Sequence, residues 1–471
     1  MEPFYRLNID PQAATDLAEK GATVLMLSVP VGSYVGVDHQ AFSAGPKFKG
    51  VKMLTPGPHF FATHPVGDGS VSAPPTGFFA HLKPRQVLVK VWDTATEQLL
   101  DMSDNDEAER YAEGVRRFEF DSFLAPYDLS RSRRWSGLSN YVTDNLISKL
   151  SPVGNNISII AEAEDPELVH PKTEAERQLV EQLKEGRRRL AERFGNMEDD
   201  DTTHAMVHNV SEGVEVEAST RKDSQGDQHT EGEERPLSME GANPSSSTSL
   251  CGWGRCFYTH LPDRLVKRKG LSPAELTAIN LDKSLVLITS AHRYDGDLTM
   301  LVGELQFAFV AFVYGQSLDG FLQWKSLLVL FLACEEAALG QHQDTFSALL
   351  RAVRYQLQVS LIDGKESMLF PGSGRHVPGD APEGPASIGL PLIEELLPDS
   401  FLRKSFGGFF HTLQDNMDRV SNQLHREVQV LKKVLRAGLG WDFDIRILGE
   451  DDSEDEDDMP VIVDVNEPYV L

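Results

Sequence analysis

The sequence predicts a multidomain α+β protein in which a β-rich N-terminal domain precedes an all-α one. Three observations carry this. Between residues 21 and 100, short β-branched runs such as "ATVLMLSVP" and "RQVLVKVWD" alternate with Gly and Pro punctuation such as "TPGPHFF" and "PVGDGSVSAPPTG". That is the pattern of many short strands in a sandwich or barrel. Residues 197–249 lose all periodicity and lack aromatics, which marks a disordered linker. Beyond it, "LVGELQFAFVAFVYGQS", "DGFLQWKSLLVLFLACEEAAL" and "DTFSALLRAVRYQLQVSL" follow one another with short joints. The first two are apolar nearly all round, so they belong at the centre of a helical bundle.

Taken in order, the elements support this division. "NDEAERYAEGVRRF" and "WSGLSNYVTDNLISKL" read as helices, the second closing the first domain near Pro152. Residues 172–195 read as a charged amphipathic helix. Order resumes around Trp253. In "LSPAELTAINLDKS", Ser272 is an N-cap, Pro273 takes the first helical position and Glu275 the capping-box slot. A Pro/Gly loop at 371–389 interrupts the helical domain. After it, Leu413, Met417, Val420, Leu424, Val428, Leu431 and Leu435 step by four or three, a long stripe for a core or a partner helix. The predicted units are a β-rich domain at 1–158, a charged helical connector at 159–195 and an acidic disordered linker at 196–250. A helical domain at 251–448 follows, with a disordered loop at about 364–389, and then an acidic spacer and strand-forming tail at 449–471.

Charge narrows the function classes. The chain has 45 Lys and Arg against 72 Asp and Glu, a net −27. Residues 197–249 carry 13 acids and 3 bases, and residues 450–471 carry 10 acids and no base. The acidity therefore sits in two flexible-looking segments and not in the folded body. Direct nucleic-acid binding is not expected, because phosphate neutralisation needs a clustered basic surface. Lys267-Arg268-Lys269 and Arg187-Arg188-Arg189 read as solvated helix faces or weak nuclear-import signals. Three cysteines cannot build a disulfide framework, and "MEPFYRLNID" lacks the apolar region of a signal peptide. A reducing compartment, cytoplasm and nucleus, is the expectation. Phe307–Tyr314 and Leu327–Cys334 are too short to span a membrane and read as buried helices.

A search for chemistry returns little. No GxSxG, GxxxxGK[ST], HExxH or EF-hand loop is present, and "PGSGRH" lacks the strand–turn–helix setting of an activated serine. Cys251 and Cys256, with His260 nearby, resemble half a zinc site without a second pair; two thiols opening a folded segment is the simpler reading. Asp38, His39, His59 and His64 leave a metal-dependent β enzyme imaginable, against the simpler reading of loop histidines. Trp135 and Trp324 read as packing anchors. No catalytic residue, cofactor, metal or small-molecule ligand is expected. Ser453, in Ser-Glu-Asp-Glu, fits the rule of an acidophilic kinase, and phosphate there would add roughly 1.5–2 negative charges; the alternative is an unmodified serine in a solvated tail.

Particular strings then stand out: "GPKFKGVKMLTPGPHFF" (45–61), "GFFAHL" (77–82), "FLAPYDLSRSRRWSGLSNYVT" (123–143), "LVGELQFAFVAFVYGQSLDGFLQWKSLL" (301–328), "WDF" (441–443) and "PVIVDV" (460–465). In this order they resemble the Aar-two family of splicing factors, assembly factors of the U5 small nuclear ribonucleoprotein (snRNP). The resemblance implies a β-sandwich-type N-terminal domain followed by an all-α, VHS-like helical domain. It implies a non-enzymatic chaperone that binds the large U5 scaffold protein through its RNase H-like and Jab/MPN domains. While bound, such a factor holds off the unwinding helicase until maturation. It further implies that the C-terminal segment, matched by Val461, Ile462, Val463, Asp464 and Val465, adds a strand between the two scaffold domains. An extended peptide on an exposed sheet edge gains main-chain hydrogen bonds, while alternate side chains fill pockets. The competing reading is an acidic VHS-like adaptor that recognises peptide motifs in trafficking or signalling.

Overall fold

The structure, a computed structural model, describes residues 11–65, 74–129, 132–163, 254–261, 272–366 and 401–444. The N-terminal half is built on two five-stranded sheets. The strands are β1 (Ala22–Leu27), β2 (Tyr34–Val37), β3 (Gln40–Ser43), β4 (Gly50–Leu54), β5 (Gly57–His64), β6 (Thr76–Leu82), β7 (Val87–Asp93), β8 (Gln98–Asp101), β9 (Leu124–Pro126) and β10 (Ile157–Ser158). The first sheet has the order β8-β7-β1-β4-β9. It is mixed: β1 runs parallel to β7 and β4 parallel to β9, while the pairs β1–β4 and β7–β8 are antiparallel. The second, β10-β6-β5-β2-β3, is antiparallel throughout. Helices α1 (Pro11–Lys20), α2 (Asn105–Arg116), α3 (Ser132–Ser139), α4 (Asp144–Leu150) and α5 (Ile159–Ala163) flank the strands.

Alternate side chains on a strand face opposite ways, so the burial of all six residues of β1 means that both faces of its sheet are covered. Val24 and Met26 pack between the sheets with Val35, Val37, Phe61 and Phe78. Leu25 and Leu27 face the other way, with Val89 and Leu124, against Ala108, Tyr111 and Val115 of α2. The second sheet repeats this logic with phenylalanines. Phe60 pairs with Phe79 and Phe61 with Phe78. Phe61 and Phe78 stack at 5.1 Å inside the sandwich, whereas Phe60 and Phe79 enter the core of the helical half. Burying each such ring stabilises the fold by about 1.5–3 kcal/mol.

The helical half contains α6 (Pro273–Leu281), α7 (Ser284–Ser290), α8 (Leu298–Gly315), α9 (Leu318–Leu332), α10 (Glu335–Leu339), α11 (Gln343–Glu366), α12 (Phe401–Asp415) and α13 (Asn422–Leu439). Helix α8 is its axis, flanked by α3, α4, α9, α11 and the second sheet. Its length and composition match a membrane span, yet 83% of it is buried in this core, which accounts for its apolar circumference. At α6 the expected capping box is present: Glu275 N donates to Ser272 Oγ at 3.3 Å, and Ser272 N donates to Glu275 Oε2 at 2.8 Å. The two halves together form a two-domain α+β fold.

Several elements differ from the sequence expectation. Residues 135–150 are two helices, because Thr143 begins α4 by accepting from Leu146 N at 3.2 Å. The stripe from Leu413 to Leu435 is likewise divided. Helix α12 stops at Asp415, and Ser421 caps α13 by accepting from Leu424 N, which leaves Met417 at 46% exposure between them. The run through 319–339 breaks at Ala333–Cys334 into α9 and α10. Helix α1 had no expectation. The connector helix beyond residue 163, the acidic linker, most of the 364–389 loop and the tail lie outside the described residues.

Helix α2 ends in a Schellman motif. Phe118 N donates to Val115 O and Glu119 N to Gly114 O, both at 2.9 Å. The residue after the cap must then be left-handed, a place usually taken by glycine. Here it is Phe118, with φ 63°, at a cost of roughly 1–2 kcal/mol for an L side chain.

Glycine is required where α8 meets the segment between α3 and α4. A Cβ on Gly303 would lie 2.3 Å from Tyr141 O and 2.8 Å from Leu146 Cδ2. Gly303→Ala is therefore expected to cost about 1–3 kcal/mol, seen as a lower urea midpoint at unchanged slope.

Candidate functional site

The tail residues Val461, Ile462, Val463, Asp464 and Val465 and the phosphorylation candidate Ser453 lie outside the described residues, as do Cys251 and the "PGSGRH" loop. Among the described residues, the strings at 45–61, 77–82, 123–143 and 301–328 meet at one place, the junction between the sandwich and the helical bundle, whereas Phe443 of "WDF" packs on Phe410 of α12. Phe79 from "GFFAHL" stacks on Phe307 of α8 with centroids 4.0 Å apart. Trp135 from "RRWSGLSN" donates Nε1–H to Pro58 O at 2.8 Å and meets Tyr314 of α8 edge-on. Both tryptophans singled out in the sequence act in packing; Trp324 is fully buried and donates to Gln356 Oε1 at 2.9 Å.

Two polar side chains of α8 hold this junction. Gln306, fully buried, donates Nε2–H to Gly137 O at 3.0 Å and to Asn140 Oδ1 at 2.8 Å, and its Oε1 accepts from Tyr141 N at 2.8 Å. It thereby satisfies the backbone of the break between α3 and α4. Glu304, also fully buried, accepts from Thr259 N, Thr259 Oγ1 and Tyr294 Oη, each at 2.6 Å, and from Gln323 Nε2 at 2.9 Å. Buried polar groups need such partners, and here they fasten the returning segment 254–261 to the bundle.

A third carboxyl closes the same region. Glu162 at the end of α5 accepts from Ser317 Oγ at 2.5 Å and from the amides of Leu318 and Asp319 at 2.7 and 3.2 Å, so it completes the N-terminus of α9. Burial, with Asp319 close by, pushes its pKa up to about 8 in spite of these donors. Arg255 Nε donates to Asp319 Oδ2 at 2.8 Å. The backbone joins in, since Ser158 N donates to Gly254 O at 3.0 Å and Phe257 N to Leu150 O at 2.8 Å. The segment that begins at Gly254 thus lies beside α5.

Of the set considered for metal, Asp38 and His59 have a different role, and its histidines are not surface-loop residues, since His39, His59 and His64 are 9%, 1% and 3% exposed. His59 Nδ1 meets Asp38 Oδ2 at 2.7 Å and His59 Nε2 meets Thr55 O at 2.6 Å. A carbonyl only accepts, so Nε2 carries a proton, and a second proton lies between Nδ1 and the carboxyl. Asp38 also accepts from Tyr127 Oη at 2.6 Å and Phe60 N at 2.8 Å. Burial and Asp38 push the Tyr127 hydroxyl far up. Both nitrogens of His59 are occupied, and among the described residues no group of three or more His, Cys, Asp or Glu is arranged to hold a metal ion. Cys256 packs beside the helical core, and His260 is exposed. The arrangement is one of positioning: it fixes a β-sandwich and a helical bundle in one shared core.

Comparison with known proteins agrees with this convergence. Residues 20–152 match the AAR2 N-terminal domain and residues 258–444 the AAR2 C-terminal repeat region. The chain is 27% identical to the Protein AAR2 homolog of Mus musculus and 26% identical to that of Homo sapiens, in each case over 98% of both chains. It is 24% identical to the Protein AAR2 homolog of Caenorhabditis elegans over 92% of this chain and 98% of the relative.

Proposed function

The chain belongs to the AAR2 family, and from that premise we propose that it is a non-enzymatic assembly factor of the U5 snRNP that supports pre-mRNA splicing. It binds the large U5 scaffold protein through that protein's RNase H-like and Jab/MPN domains. While bound, it holds off the unwinding helicase until the particle matures. It acts in cytoplasm and nucleus and needs neither cofactor nor direct RNA contact. The observation that carries this reading is the family match across both halves of the chain, in order, with four of the matching strings meeting at one junction. The junction suits a bridging factor, because a shared core keeps two dissimilar surfaces at a set spacing.

In this reading the tail is the principal contact. Val461, Val463 and Val465 face one side of an added strand, and Ile462 and Asp464 the other. The acids of 450–458 keep the tail extended and soluble when free. Phosphate on Ser453 would add charge next to the strand and favour release.

The test is binding of the purified U5 scaffold protein to the full-length chain and to a chain ending at Asp458. The full-length chain is expected to bind, and the shortened chain to lose at least about tenfold in affinity. Full binding without the tail would remove its assigned role. No binding by the full-length chain would remove the reading itself.

A further inference from the structure

We propose that the sandwich accepts an extended, non-acidic peptide strand of a partner protein along the uncovered edge of β6. All seven residues of β6 pair with β5, but β10 pairs with it only at Thr76 and Gly77. The direction of the remaining main-chain groups follows from β5. Phe60 N donates to Asp38 Oδ1 and Phe60 O accepts from Asp38 N, so the main chain of Phe60 is turned away from β6. Opposite residues of an antiparallel pair either exchange bonds or both point outward, and Phe60 lies opposite Phe79. Phe79 and, two residues on, His81 therefore aim their N–H and C=O groups out of the sheet edge, past the end of β10. Asn155 Nδ2 reaches Phe79 O at 3.4 Å, a long contact.

A cavity of about 300 Å³ lies along this edge, at the lower end of the size of ligand pockets. Phe79 and His81 from one face of β6 and Ala80 and Leu82 from the other both line it, which places it where the next strand would run and not over a face. Beyond the edge it is bounded by Ile147 and Ser151 from the end of α4 and by Leu88 and Lys90 of β7. Its buried polar groups fit peptide carbonyls. The Ser151 hydroxyl has no hydrogen-bond partner among the described residues, which is costly for a buried group. Lys90 is 1% exposed, and its ammonium, with three donors to place, lies 2.7 Å from Asp101 and 4.5 Å from the centre of the Phe78 ring. Charge disfavours an acidic occupant. The lining holds two carboxyls, Asp101 and Asp144, against one ammonium; Asp101 answers Lys90, and Asp144 forms no ion pair among the described residues. Lys83 and Arg85 lie in the turn beyond Leu82 and do not line the cavity. Main-chain pairing supplies the affinity of such an added strand, and lysines beside its apolar residues suit the free carboxyl.

The probe is a fluorescein-labelled peptide Lys-Val-Thr-Val-Thr-Lys, capped at both ends, with the full-length chain; the test does not depend on the function proposed above. Anisotropy is expected to show saturable binding, and amide exchange across residues 79–82 to slow in the complex. N-methylation of the four central peptide amides is expected to weaken binding at least about tenfold, and glutamate in place of both lysines at least about threefold. Ser151→Ala removes the unpaired hydroxyl. It is expected to raise the melting midpoint by roughly 1–2 °C while weakening the peptide about threefold. No saturable binding overturns the proposal and leaves the proposed function standing. Binding with unchanged exchange across residues 79–82 overturns the site. Equal affinity for the N-methylated peptide overturns strand addition, and equal affinity for the glutamate peptide overturns the choice of a non-acidic partner. A lower midpoint for Ser151→Ala overturns the assignment of its hydroxyl to the peptide.

Discussion

Asp38→Ala is expected to cost the protein about 3–5 kcal/mol, because it strands a charged partner in the interior. The side chains of His59 and Asp38 are 1% and 0% exposed. Removing the carboxylate leaves the His59 ring proton, the Tyr127 hydroxyl and the Phe60 amide without their acceptor. Urea unfolding followed by tryptophan fluorescence should show the transition shifted far down or already complete in water. The same pair makes stability depend on pH. Burial by itself would lower the His59 pKa, but the charge of Asp38, its hydrogen bond and the Thr55 carbonyl together raise it above the ordinary 6.5. A raised folded value means that the stabilisation is fully present below about 6.5 and is lost as pH rises through the folded pKa. Urea midpoints taken upward from pH 6 should therefore fall through this step. If an equally steep fall persisted in a variant lacking His59, some other group would be responsible.

The second large effect belongs to Glu304. Glu304→Ala removes one acceptor that serves four donors, and it is expected to destabilise the protein by about 3–5 kcal/mol. Its signature should be local as well as global. Thr259 loses both of its short bonds to α8, so amide exchange across residues 254–261 should quicken far more than across α13, which packs against α11. Equal acceleration in both places would mean that Glu304 does not serve specifically to fasten that segment. Glu304→Gln keeps the shape and should recover part of the loss, although its amide presents donors where the site supplies donors already.

Features set by neighbouring residues were legible in the sequence. Ser272, Pro273 and Glu275 formed the expected helix start because a capping box is decided within four residues. The central place of α8 and α9 followed from apolar side chains all round. Interrupted periodicity was harder. Thr143 and Ser421 sit inside stretches whose apolar spacing continues past them, and only their side-chain bonds to Leu146 N and Leu424 N end one helix and start the next. The order of the first sheet was not accessible, since the parallel pairing of Thr23 with Val87 depends on partners far apart in the chain. At the site, Asp38 and His59 were rightly grouped, but their chemistry is set by Tyr127, 89 positions further along than Asp38. Glu304 and Gln306 went unnoticed. Their signal was available: two polar residues in a helix with no solvent face must have buried partners. Phe118 gave no signal, because the rule for its position names glycine.

The closeness of Gly254 to α5 bears on the length of chain that can lie between them. A Cβ on Gly254 would come within 2.6 Å of Ala161 Cβ, so the two doorposts of the ninety intervening residues stand side by side. Closing a loop between fixed ends costs only about 0.6 kcal/mol for each doubling of its length. For a flexible loop, growth from ten residues to ninety between ends held this close costs about 2 kcal/mol, no more than a bond or two contributes. The adjacency therefore sets no tight limit on the number of residues between its two sides, whereas Glu162, Arg255 and Thr259 carry the bonds that fix both sides to the helical half.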